Sequence, residues 1–269
     1  MPSCDEEKLQ RCLLQTIAYS DIFDYPLKEK EVWHWLVFPS DLSLKLPSKL
    51  SLRKSLEELL KTGLLETKKG FFFLPGRQQL VALREEKKSL SGAKMKVACK
   101  ATERLRLIPG IKMIGITGAL AMENCQENDD VDLLVITWAN CLWLTRLLII
   151  LLSPFLGIKR RRPGEKNTKD KICFNLFLDE SHLKIQSENL FLAHEICQVK
   201  PVLSKDKTYE KFLWENRWVS NFLPNAAVIN NVTRKQSNNR SFIASLLCCF
   251  IAIFEKIAFY LQYFYMKPK

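Results

Sequence analysis

Ile116-Thr117-Gly118-Ala119, ten further residues, then Asp130-Val131-Asp132-Leu133-Leu134-Val135 is the stretch on which the reading of this chain turns. The second run is strongly β-forming. Alternation along a strand puts Asp130 and Asp132 on one face and Val131, Leu133 and Val135 on the other. Neighbouring carboxylates repel, and such a pair persists when a divalent cation neutralises it; hard oxygen ligands suit magnesium. Gly118 ends the preceding strand, IKMIGI, where a missing side chain lets backbone N–H groups approach a phosphate at a helix N-terminus. Leu120 to Asn124 is expected to be that short helix, and QENDD to return the chain to the second strand. Phosphate cradle and metal site then meet at neighbouring strand ends.

Working outward, residues 171–180, KICFNLFLDE, read as a third strand. Strict alternation predicts one face carrying Cys173, Asn175, Phe177 and Asp179, opposite Ile172, Phe174, Leu176 and Leu178. Before it lie an apolar helix candidate, CLWLTRLLIILLSPFLG (141–157), and a basic loop from Lys159 to Lys166. A run of like charge is commonly a solvated segment. Its functional reading is that Arg160, Arg161 and Arg162 attract a triphosphate or a nucleic-acid acceptor.

The stretch TGALAMENCQENDDVDLLVIT (117–137) resembles the signature of the DNA polymerase beta-like nucleotidyltransferase superfamily: glycine, a small residue, a spacer of about ten, then acidic-hydrophobic-acidic-hydrophobic. The resemblance covers about 20 residues directly and extends by element order over roughly 90 to 200. It implies Mg²⁺ held by Asp130 and Asp132, a nucleoside triphosphate held by backbone N–H groups at Gly118 and Ala119, and transfer of a nucleoside monophosphate to an acceptor hydroxyl. Ala119 departs from the family's usual serine. The family's third carboxylate falls on the strand at 171–180, where Asn175 stands mid-strand and Asp179 lies further along. Asn175 is a neutral oxygen ligand that cannot act as a base, so a nucleotide-binding but inactive domain is the alternative.

Towards the N-terminus, apolar residues recur at helical spacing from Glu6 to Tyr19. Asp24 with Tyr25-Pro26 is expected to break that helix and cap the next, LKEKEVWHWLV (27–37). A third helix carries Leu52, Leu56, Leu59 and Leu60 and ends at Gly63. Two short strands, LLET and FFFL, are joined by Lys68-Lys69-Gly70. Three helices plus a hairpin predict a winged helix-turn-helix, similar to the N-terminal part of some bacterial nucleotidyltransferase-superfamily members. Its two readings are a structural or dimerising module and a DNA-binding one, with the third helix in a major groove and Arg53, Lys54, Lys61, Lys68 and Lys69 on phosphates. Residues 76–108 are expected to form a connector helix, or two helices broken near Ser91-Gly92.

The 269 residues carry a net charge of +12, which favours phosphate-bearing partners. Nine cysteines are scattered with no C-x-x-C pair, and His34, His182 and His194 are far apart in sequence, so neither a disulfide scaffold nor a zinc site is expected. The histidines read as capping or surface groups, and the acidic N-terminus is unlike a signal peptide. SENLFLAHEICQVKPVLS (187–204) and TYEKFLWENRWVSNFLPN (208–225) read as two amphipathic helices. Residues 225–240 read as a linker and 242–266 as a buried or dimerising helix, with a membrane-surface or membrane-spanning anchor as the lesser alternative.

Together these predict an α+β protein: a winged helix over 1–78, a nucleotidyltransferase-type mixed sheet with flanking helices over 79–200, and C-terminal helices over 201–269. Expected partners are a nucleoside triphosphate, nucleic acid and a second copy of the chain, in the cytoplasm or peripheral to a membrane.

Overall fold

The computed structural model describes residues 4–39, 46–227, 254–264 and 266. They form an α+β protein with two separate small sheets. The chain divides into two compact units that are not consecutive segments. Among the described residues, 4–39, 46–90, 186–197 and 217–227 make up the first, and the rest the second.

In the first unit, α1 (Cys4–Asp21) buries Leu9, Cys12, Leu13, Thr16 and Ile17, one stripe at helical spacing. The chain then turns through Asp24, whose φ is +53°. Asp24 does not cap the next helix as expected. Leu27 and Lys28 are instead drawn into a strand, β1 (Leu27–Lys28), and α2 is confined to Glu29–His34. The Glu31 carboxylate accepts from the Lys28 N–H at 2.8 Å, and Asp24 meets Arg77 at 2.6 Å. Helix α3 (Lys49–Lys61) starts at Ser48, whose hydroxyl accepts from the Ser51 N–H, and stops at Gly63 with φ +69°. Strands β2 (Glu66–Lys68) and β3 (Phe71–Phe73) are joined through Lys69 and Gly70, both at positive φ, the turn geometry that matches strand twist. β3 is central in the antiparallel order β1-β3-β2.

Helix α4 (Leu80–Leu105) is continuous, with no break at Ser91-Gly92. A mid-helix glycine costs about 1 kcal/mol. Here Ser91 is buried and its hydroxyl accepts from the Cys125 N–H at 3.1 Å, a tertiary bond that holds the helix through that point. The remaining elements are β4 (Ile111–Ile116), α5 (Gly118–Ala121), β5 (Val131–Thr137), α6 (Leu142–Leu152), β6 (Ile172–Asp179), α7 (Leu190–Gln198), β7 (Lys200–Ser204) and α8 (Thr208–Glu215). A 3-10 turn follows at Arg217–Asn221.

The second sheet has the order β6-β5-β4-β7, with β4 antiparallel to β5 and to β7, and β5 parallel to β6. β7 replaces the helical end expected for 187–204. Its Pro201 is tolerated because β7 is an edge strand. The predicted helix over 208–225 is interrupted at fully buried Asn216, whose side chain bonds the Ile185 N–H and the Leu183 carbonyl, both at 2.8 Å. One sheet face, with Ile114, Ile116, Leu133 and Val135, packs in a core with Ala98, Ala101 and Leu105 of α4 and Ile149 of α6.

Residues 254–264 are helical, and Glu255 accepts from the N–H groups of Trp143 and Leu144, each at 2.7 Å, at the start of α6. No helix of the described residues is long and apolar enough to cross a membrane. Most of the apolar run over 241–254, and most of the predicted linker, lie outside the described residues.

Candidate active site

Three strand termini converge at one end of the second sheet. Because β4 and β5 are antiparallel, the last residues of β4 face the first of β5: Ile116 pairs with Leu133, and the Thr117 N–H donates to the Asp132 carbonyl at 3.1 Å. Because β5 and β6 are parallel, the start of β6 lies at the same end, with Val131 beside Ile172 and Asp132 beside Cys173. The glycine turn, the acidic pair and Cys173 are therefore neighbours.

Gly118 has φ +62°, and a Cβ built there would stand 3.0 Å from the Asp132 Oδ2. Both favour glycine: the positive φ strains an L side chain, and a Cβ would press on the Asp132 carboxylate. The helix begins at Gly118 rather than Leu120 and is a single turn, so Ala119 lies inside it. The first N–H groups of a helix have no intrahelical partner. The Thr117 hydroxyl, also at this junction, is buried and has no hydrogen-bond partner among the described residues.

The ligand atoms of Asp130, Asp132 and Cys173 all lie within 4.8 Å of one another. Burial, and next the Asp130 charge, raise the Asp132 carboxyl above its ordinary range, while Cys173 and Arg161 partly counter this. Burial first, then the Asp132 charge, push the Cys173 thiol up to about 12. Burial and mutual repulsion thus both disfavour the charged forms of this cluster. Arg161 relieves part of that repulsion through a 2.8 Å bond to Asp130, which holds its guanidinium above its usual range.

The expected face of β6 is overturned. The β5–β6 register shifts between Leu133 and Leu134, so Phe174 pairs with Leu133 and Leu176 with Leu134. Asn175 is the extra residue of this bulge and is exposed, outside the acidic cluster. A bulge reverses the alternation beyond it. Phe177 therefore joins Phe174 against the core, their ring centroids 5.9 Å apart. Asp179 pairs with Thr137 at the far end of β5, where its carboxylate accepts from the Asn140 N–H and, at 2.8 Å, from the Ser181 N–H. It serves that turn and not the acidic pair.

Two contributors carry signals the sequence reading did not use. Lys94, its side chain 4% exposed, donates to the carbonyls of Glu127 and Asp129 at 2.9 and 2.6 Å and to Asp170 at 2.9 Å, pinning the loop before Asp130. An ammonium buried this deeply needs such partners, and only the burial reveals it. Arg146 of α6 lies over the rings of Trp143 and Phe177.

Comparison with family models, curated proteins and solved structures gives no match.

Of the remaining predicted contacts, Arg160 forms a bridge beside Ile172, so the basic loop runs along β6. In the first unit Lys69 pairs with Glu85 at 3.3 Å, and the Lys68 ammonium lies 3.5 Å from the Gln78 side-chain amide oxygen. His194 is buried, not a surface histidine: it stacks on Tyr19 with centroids 4.2 Å apart, and burial lowers it to about 4.

Proposed function

We propose that the chain is a divalent-cation-dependent nucleotidyltransferase, moving a nucleoside monophosphate from a nucleoside triphosphate to a hydroxyl acceptor. The observation that carries this reading is the Asp132 carboxylate standing against a glycine turn at positive φ, with Asp130 beside it. The order α4-β4-α5-β5-α6-β6 with its mixed sheet supports the fold that the sequence resemblance implies.

The donor set fits a cation through its two carboxylates, which suit magnesium or manganese. Cys173 offers a softer atom and holds its proton until a cation displaces it. A bound cation would neutralise triphosphate charge and acidify the acceptor hydroxyl. The chain's own part is to present N–H groups at Gly118 and Ala119 to phosphate oxygens and to keep Asp130 and Asp132 in register. Arg161 balances Asp130 until a ligand arrives. The β6 residue beside Asp132 is Cys173 and not a third acid, and with Ala119 this favours nucleotide binding with slow transfer.

The test is binding of a fluorescent ATP analogue to the full chain in millimolar magnesium or manganese. Binding is expected in wild type and absent in Asp130→Ala. Transfer, read as pyrophosphate release with cell-extract acceptors, is expected to rise in Cys173→Asp and not in Asn175→Asp. Nucleotide binding that is absent from wild type, or equal in Asp130→Ala, defeats the reading.

The first unit's order α1-β1-α2-α3-β2-β3 supports a winged helix. Three of the cations expected on phosphates are paired within the unit: Arg53 with Glu29, Lys61 with Glu58 and Lys69 with Glu85. That favours a structural or dimerising role over DNA binding. Salt-dependent duplex binding lost in a Lys68→Gln/Lys69→Gln variant would reverse this preference.

A further inference from the structure

Beside the acidic cluster lies a cavity of about 260 Å³ whose walls come from α6, the basic loop and β6. Arg146, Arg160, Arg161 and Arg162 line it, no carboxylate does, and Ile150, Phe174 and Phe177 add apolar surface. Cys173 lines it too, and so belongs both to this cavity and to the cluster with Asp130 and Asp132.

The four guanidiniums are not equally occupied. Arg161 is bound to Asp130, which ties the cavity to the acidic pair. Arg160 and Arg162 form no ion pair among the described residues; Glu165 accepts from the Arg162 backbone N–H at 3.1 Å, not from its guanidinium. Arg146 meets rings and the Met266 sulfur, not an acid. Burial, and then the charge of Arg160, lower its guanidinium below the usual value. Cations gathered over an apolar floor without an anion are at an electrostatic cost that a bound dianion removes.

Size separates the candidate anions. Small-molecule pockets run from about 300 Å³ upward, so a cavity of about 260 Å³ matches a phosphate with a small body. We propose that the cavity is the acceptor subsite of the transferase inferred above, and that it takes a small phosphorylated alcohol. Its phosphate sits among Arg146, Arg160 and Arg162, and its carbon body lies over Phe174 and Phe177. A free hydroxyl then faces the cluster across Cys173. In the transfer, the acceptor oxygen bonds to the α-phosphorus, the bond from that phosphorus to the bridging oxygen breaks, and pyrophosphate leaves with the electron pair. The hydroxyl proton goes to an Asp130 or Asp132 oxygen and on to water.

The phosphomonoester could be a free metabolite or a lipid headgroup. The second source enters because Leu151, Leu152 and Phe155, at the end of α6 and just beyond it, are exposed. The experiment titrates the 269-residue chain, free of nucleotide, with glycerol 3-phosphate, with glycerol, and with vesicles containing lysophosphatidate, which keeps a free hydroxyl. Binding of glycerol 3-phosphate but not glycerol assigns a free acceptor, and binding of the vesicles alone assigns a lipid-borne one. Either affinity should fall about tenfold or more in Arg160→Gln/Arg162→Gln. Exposed Lys166 does not line the cavity, and Lys166→Gln should bind as wild type does. No binding by either probe, or an equal loss in Lys166→Gln, overturns the proposal. Because the transfer step rests on the nucleotidyltransferase reading, nucleotide binding by wild type is measured separately. Its failure beside intact phosphate binding removes the acceptor role, and the reverse removes the subsite alone.

Discussion

At the scale of single residues, the chain places groups where their chemistry is constrained from several sides. His194 shows this in the first unit. Packed on Tyr19 and Trp35, with its Nε2 buried and without a hydrogen-bond partner among the described residues, it is held neutral and lowered to about 4. The unfolded chain has an ordinary histidine there, near 6.5. Between those values the unfolded state binds the proton and the folded state does not. The stabilisation is therefore complete above the unfolded value and is lost as pH falls towards the folded one. Urea midpoints from pH 7 to pH 4 should reveal a loss of about 3 kcal/mol from this group. His194→Phe, which keeps a ring on Tyr19, should flatten that part of the profile; an unchanged slope would assign the acid sensitivity elsewhere.

Elements show how short segments depend on others for their ends. α5 is one turn and has no intrinsic stability as a helix; it exists because Gly118 must turn against Asp132 and because Leu120 and Ala121 reach the core. α6 begins at Cys141, which supplies no side-chain cap, and its first N–H groups are taken instead by Glu255 more than a hundred residues later. A carboxylate at a helix N-terminus gains from both the hydrogen bonds and the macrodipole. Glu255→Ala should therefore cost about 1 kcal/mol, read as a lower denaturant midpoint at unchanged m-value. No shift would mean that water caps α6 equally well.

For the whole molecule, the division into two units has a consequence for dissection. The second sheet is completed by β7, which pairs with β4 from Met113 to Ile116 and arrives after α7, a helix of the other unit. A fragment of residues 91–185 holds the acidic cluster but leaves β4 as an open, apolar edge, the arrangement that invites aggregation. Such a fragment should be insoluble or lack a cooperative melt by circular dichroism, whereas the full chain melts cooperatively. A soluble, cooperatively folding 91–185 would show that β7 is dispensable.

What sequence alone determined is what local physics controls. The β-forming run after Asp130, the alternation within it, the stop at Gly63 and the Lys69-Gly70 turn depend on neighbours two to four residues away. So did the pairing of Asp130 with Asp132, since the period of a strand is local. Tertiary structure decided the rest. Asn175 and Asp179 looked suitable only while the strand was assumed regular; the bulge opposite Leu133 and Leu134 is a property of two strands together and leaves Asn175 unpaired, while the register ahead of it sets Cys173 beside Asp132. β7 read as helix because its pairing with β4 carries the signal that its own residues, Pro201 among them, do not. Lys94 and Arg146 resembled any surface cation in sequence, and burial alone gave them their places beside the site.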